Sequence, residues 1–216
     1  MQFIEVHSKT RAPKKDEQAG PQICLAAFPE LFATHWDSDE STRSVEIYAK
    51  QFVRDGMPCD RLLGFMRMVF GWGGSRNIGN KFMNSNAGKL DEVRDKFLKS
   101  LECLDAGKDK EAIENLTALT GLGVSYASKH LKFLNPDKAV VLDSLIERGL
   151  GYKQTEDGYV EFVNKCREWA NLLNDKGVFC SRTPQGTWRV SDVEMAVFIH
   201  VRKTAPKPEK NTTENE

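Results

Sequence analysis

No apolar run in the chain approaches the roughly 20 residues needed to cross a bilayer. Residues 1 to 20 are polar and of mixed charge, without the apolar centre of a secretory signal. These absences argue against membrane-embedded and secreted roles. The expected compartment is the cytoplasm, at the nucleoid if the host is prokaryotic and in the nucleus if it is eukaryotic. Close cysteine pairs are also missing. Cys24, Cys59, Cys103, Cys166 and Cys180 are scattered, so no zinc site or iron–sulfur cluster can be read from their spacing, and they are expected to be reduced, mostly structural thiols. An excess of one charge is absent too, because 31 Lys and Arg balance 31 Asp and Glu. A uniformly basic coat for phosphates is thereby excluded. The distribution is uneven, however: residues 61–89 hold five bases (Arg61, Arg67, Arg76, Lys81, Lys89) and no acid, whereas residues 30–60 hold seven acids against three bases. One basic face on a neutral molecule is expected.

Sustained strand alternation is lacking, whereas helical periodicity recurs. The segment STRSVEIYAKQFVRDG carries Val45, Ile47, Tyr48, Phe52 and Val53 at near-helical spacing and stops at Gly56. CDRLLGFMRMVFGWGG reads as a more buried helix ending in a glycine-rich turn. Further helices are expected from about Leu90 to Leu104, in DKEAIENLTAL, in a short stretch after Asp143, in EFVNKCREWANLLND and in SDVEMAVFIHVRK, with Ser191 as its cap. CSRTPQGTWRV has the character of a small hairpin or loop. The fold class is therefore all-α. With 216 residues and 40% hydrophobic content, the chain can bury a core in one or two closely packed lobes. Residues 1–20 and 204–216 lack periodicity and are expected to be disordered. Residues 21–203 form the expected helical domain.

Within it, LTALTGLGVSYASKHLKFLNPDKAVVLDSLIERGL reads as two helices pinched together by Gly121-Leu122-Gly123, followed by an apolar run ending in one acid, Asp143. Glycine permits positive φ and lets another backbone approach closely. A glycine turn at a helix start leaves free amide N–H groups, a ready phosphate site. An ordinary glycine-capped helix connection has the same local pattern. Asp143, in turn, reads either as a functional carboxylate or as the residue that starts the helix SLIERGL, where Ser144 and Glu147 fit a capping box.

The glycine phrase, spanning 108–134 with its two helices, resembles the helix-hairpin-helix motif of DNA-binding proteins. VVLD is similar to the second half of the signature of the helix-hairpin-helix DNA glycosylases, the group containing endonuclease III, adenine glycosylases and 8-oxoguanine glycosylases. Ser125 precedes Asp143 by eighteen positions, which resembles that family's distance from its catalytic hairpin position to its Asp. The resemblance implies two packed helical lobes with a cleft between them, and an acid that stabilises positive charge on a sugar and orients or deprotonates water. Bifunctional members have Lys where this chain has Ser125, so the resemblance implies a monofunctional glycosylase. Strand cutting would need another amine; Lys129, one turn beyond, could reach the same face but is assigned to phosphate or solvent, and His130 to the surface or a phosphate.

Other phrases are similar to the 8-oxoguanine branch. SRNIGNKF resembles its asparagine-rich turn, with Asn77-Ile78 matching its Asn-Ile. EMAVF resembles its Gln-x-x-x-Phe, placing Glu194 at the base edge and Phe198 against the base; core packing for Phe198 and a solvated or capping role for Glu194 remain open. An ionised Glu194 accepts hydrogen bonds and donates none, favouring a purine-like edge rich in N–H donors. Trp72 and Trp36 are candidates for the aromatic wall of the pocket or for the core.

The implied function is excision of a damaged or modified base from double-stranded DNA by a monomer, with no cofactor or metal. Gly121, Leu122, Gly123, Val124, Arg76, Asn77, Lys81, Lys129 and His130 are the expected DNA contacts, Asp143 and Ser125 the catalytic positions. The missing Lys and zero net charge leave an alternative, a catalytically silent hairpin protein that recognises damaged or distorted DNA. A variant of the leading reading directs the excision at modified bases of invading DNA.

Overall fold

A computed structural model gives the fold and describes residues 3–5, 22–36 and 40–204. It is helical almost throughout. The helices are α1 (Phe28–Trp36), α2 (Glu40–Arg54), α3 (Cys59–Trp72), α4 (Arg76–Ser85), α5 (Leu90–Asp105), α6 (Asp109–Thr117), α7 (Val124–Leu134), α8 (Ser144–Leu150), α9 (Glu156–Asp175) and α10 (Val190–Thr204). Among the described residues no helix is long and apolar enough to cross a membrane.

Three segments depart from the periodicity reading. Phe3–Glu5, expected to lie in a disordered terminus, forms strand β1, antiparallel to β2 (Gln22–Cys24), with Ile4 opposite Ile23 and both buried. Three residues are too few for alternation to register. The remaining residues of 1–20, and 205–216 of the tail, lie outside the described residues. The asparagine-rich phrase is a helix rather than a turn: Ser75 Oγ caps α4 by accepting from the Ile78 N–H at 3.3 Å. Ser191 does not cap α10. The helix starts a residue earlier, and the Ser191 hydroxyl is buried without a hydrogen-bond partner among the described residues.

Helices α2 to α7 pack in one group around α3 and α7, while α1, α8 and α9 pack against α10; α9 also touches α6 and α7. Helix α7 is central, with every residue from Tyr126 to Leu134 buried. Three polar ties fix it. Tyr126 donates its hydroxyl to the Gly73 carbonyl at 2.9 Å. Gly73 is required there, since a Cβ would stand 2.7 Å from the Tyr126 ring. Asn86 donates its amide to the Thr120 carbonyl at 3.0 Å, anchoring the glycine turn to the end of α4. Gly121 holds φ +89° in that turn, a conformation L side chains rarely adopt. Finally, Ser128 Oγ donates to the Ser125 carbonyl at 3.0 Å and accepts from the Leu142 N–H at 3.1 Å. This last tie sets the distance between the hairpin helix and the segment that ends in Asp143.

Ser128→Ala leaves the buried Leu142 N–H without its acceptor, a loss worth about 1–3 kcal/mol. Urea unfolding is expected to show a lower midpoint with an unchanged slope.

Candidate active site in a cavity beside the glycine hairpin

A cavity of about 250 Å³ opens where α3, α7, the Asp143 segment and α10 meet. Trp72 and Gly73 come from the end of α3, Lys129 and Lys132 from α7, and Glu194, Phe198 and Arg202 from α10; Val141, Asp143 and Met195 complete the lining. Asp143, Glu194 and Phe198, singled out through the family resemblance, and Trp72, singled out as an aromatic candidate, therefore line one space. Its volume suits one fused-ring heterocycle. Trp72 is held by its indole N–H, which donates to Thr42 Oγ1 at 2.6 Å, and by edge contact with Phe133 at 4.9 Å.

Asp143 is both a cap and a lining residue. Its Oδ1 accepts from the Leu145 and Ile146 N–H groups at 2.9 and 3.1 Å, so Asp143 itself, not Ser144, caps α8. The cap uses Oδ1 and leaves Oδ2 without a donor among the described residues. A carboxylate oxygen fixed by backbone on one side and facing an open space on the other is suited to act on something placed in that space.

Lys129 departs from the expectation of a solvent or phosphate contact. It is buried, lines the cavity, and donates from Nζ to Ser125 Oγ at 2.9 Å and to the Ser125 carbonyl at 3.3 Å. Its Nζ lies 4.9 Å from the Tyr126 ring centroid. Burial pushes its pKa down, against the pull of Asp143 and Glu194. The amine thus bridges Ser125, on the first turn after the glycines, and the cavity.

Lys132, three positions on, went unnoticed in the sequence. Its helical phase with Lys129 was the available signal. It is 1% exposed, 3.8 Å from Glu46, and stacked near the rings of Phe133 and Trp72. Glu46 also pairs with Arg182, which pairs with Asp192 at 2.9 Å, and Asp192 pairs with Arg189 at 2.8 Å. Charges of alternating sign therefore run from the cavity floor to the first turn of α10.

Glu194 is 4% exposed. Burial raises its pKa to about 8, opposed by Lys132 and Lys129 and by a hydrogen bond from the Val141 backbone, and reinforced by Asp143. Burial thus favours its protonated form, which, unlike the ionised group considered from the sequence, both donates and accepts.

His130 is removed from the set of DNA contacts. It is 0% exposed, packed between the rings of Phe65, Phe70 and Phe97, and its Nδ1 meets the Tyr126 carbonyl at 2.6 Å. Burial lowers its pKa to about 4, so it is neutral in the core. Leu122 and Val124 bury their side chains and leave only backbone to a ligand, whereas Gly121 and Gly123 are exposed. Nothing lies within 4 Å of a Cβ built on Gly123, the N-cap of α7, and no side chain caps that helix. Asn77 and Lys81 are exposed on α4, outside the cavity; Asn77 lines a separate shallow cleft with Gly71, Gly74 and Ser75. The side chains of Arg76 and Trp36 lie outside the described residues. No group of three or more His, Cys, Asp or Glu suited to a metal ion occurs among the described residues, and the five cysteines are free thiols.

No protein-family model, curated protein or solved structure matches the chain.

Because Glu194 binds its proton more tightly folded than unfolded, the stability this group contributes is full below the ordinary Glu pKa of 4.5 and is lost as pH rises through about 8. Glu194→Gln removes that titration. Its melting temperature, relative to the parent, is expected to rise from pH 5 to about pH 8 and to level off above it.

Proposed function

We propose that this chain is a monofunctional DNA glycosylase. The observation that carries the reading is the position of Asp143, a carboxylate on the wall of a ring-sized cavity and tied through Ser128 to the helix that follows the glycine turn. Exposed backbone at Gly123 and the free amides of the first turn of α7 hold a phosphate of the strand. Lys81 and Asn77 on α4 and Arg202 at the cavity mouth add contacts to the backbone. The target base leaves the stack and enters the cavity between Trp72 and Phe198. As the C1′–N bond breaks, positive charge grows on the sugar, and Asp143 stabilises it and takes a proton from the attacking water.

A second reading, that the same pocket also cuts the strand, is favoured by Lys129. Desolvation weakens its hold on a proton, and an unprotonated amine beside the sugar can form an imine with the abasic aldehyde. Ser125, which cannot form an imine, here serves to orient that amine.

Two outcomes are expected. Duplexes carrying defined lesions release base with the wild-type protein, scored as alkali-dependent strand breaks, and Asp143→Asn slows release by about 10²–10⁴-fold. Asparagine caps helices as well as aspartate does, so the variant's unfolding midpoint stays near that of the parent; failure of the wild-type protein to release any base would remove the enzymatic reading. With borohydride and an abasic duplex, a covalent adduct that Lys129→Gln abolishes supports strand cutting. No adduct from the wild-type protein leaves hydrolysis as the whole reaction.

A further inference from the structure

The cavity holds two carboxyl groups from different elements, in opposite settings. Asp143 is partly exposed and spends one oxygen accepting backbone N–H groups. Glu194 sits within the first turns of α10, closed off from water on every side but the cavity, with apolar Met195 and Phe198 beside it. The charged and titratable groups that face it are Lys129 and Lys132 of α7, Asp143 at the start of α8 and Cys166 of α9; Arg202 lines the same cavity. When two carboxyls share a site and their surroundings separate their protonation states, their roles separate too.

We propose that Glu194 is the general acid that protonates the departing base, while Asp143 is the carboxylate that acts at the sugar. The proposal rests on the glycosylase reading and assigns one more catalytic group to its site. A neutral purine leaving C1′ takes the bonding electron pair and departs as a poor, anionic leaving group. A proton delivered from the Glu194 carboxyl to a ring nitrogen lets it leave neutral. Water adds its oxygen to C1′ and gives its proton to Asp143. One water is consumed, one proton has moved from Glu194 to the base and one from water to Asp143, and exchange with solvent through the cavity mouth resets both carboxyls. Burial of Glu194 in the cavity wall favours its protonated form, the form that can deliver a proton to the base.

The test compares Glu194→Gln and Glu194→Asp with the wild-type protein on duplexes bearing a single 8-oxoguanine, hypoxanthine or 7-methylguanine, measured in single turnover from pH 5 to 10. The first two bases are neutral; 7-methylguanine is already cationic and leaves without a proton. Glu194→Gln is expected to slow release of a neutral purine by about 10²–10⁴-fold and of 7-methylguanine by less than about tenfold. The alkaline fall in the wild-type rate, set by loss of the Glu194 proton, disappears in Glu194→Gln and persists, on a lower plateau, in Glu194→Asp. The proposal is overturned if Glu194→Gln stays within about threefold of the parent with its alkaline fall intact, as for a residue that only reads the base edge. It is equally overturned by equal losses on neutral and cationic bases, as for a side chain that only positions the substrate. If the wild-type protein releases none of the three, the glycosylase reading falls together with the proposal. The other two outcomes leave wild-type release intact and fault the proposal alone. Should only neutral bases be released, the alkaline limb of the three proteins decides.

Discussion

Ionisable side chains crowd one small cavity, and the surrounding structure is arranged to make that burial tolerable. Lys132 and Glu194 are withdrawn from water almost completely, and an unpaired charge so placed is strongly destabilising. Two solutions coexist. Burial pushes Glu194 towards its uncharged, protonated form. Lys132 instead heads a chain of buried ion pairs through Glu46, Arg182, Asp192 and Arg189. That chain joins α2, α7, the loop after α9 and the start of α10. Removing any member takes a counter-charge from its neighbours in the chain. The same pairs that satisfy Lys132 also fix the first turn of α10, from which Glu194 and Phe198 reach the cavity.

Helix α7 links the glycine turn to the cavity. Its first turn begins at an exposed glycine with uncapped amides, and its next turn carries Lys129 into the cavity. Ser128, between them, bonds the backbone just before Asp143. A phosphate held at the turn and a sugar presented to Asp143 would thus be registered by one rigid element and one hydroxyl. Rigid spacing of this kind is how a protein lowers the cost of bringing reacting groups together. Tyr126 extends the same scaffold to Gly73, beside Trp72, so the aromatic wall is fixed by the helix that carries the amines.

Much of this was legible in the sequence. Apolar periodicity located α2, α3, α5, α6, α7, α9 and α10, and the resemblance to the glycosylase signature singled out Asp143, Glu194 and Phe198, which the fold gathers with Trp72 into one space. What escaped has physical causes. Helix α4 is rich in Asn and carries a Gly, weak helix formers, and is held by its Ser75 cap and by burial of Phe82. The ribbon of β1 and β2 is too brief for a pattern. Lys129 and His130 read as solvent, surface or phosphate contacts because charge and polarity ordinarily sit there, but every residue of α7 from Tyr126 to Leu134 is buried. Adjacent positions on it point about 100° apart, so one enters the cavity while the other enters an aromatic cluster. The protonation of Glu194 depends on burial that no local pattern encodes.

The central claim is that a nucleobase turned out of duplex DNA occupies the space bounded by Asp143, Glu194, Trp72 and Phe198. A crystal structure of the protein on a duplex whose target sugar carries 2′-fluorine, which slows loss of the base, tests it most directly. The account predicts the base between Trp72 and Phe198, its C1′ towards Asp143 and a backbone phosphate on the amides after Gly123. A duplex bound with every base still stacked, or bound on a face remote from α7, would contradict it.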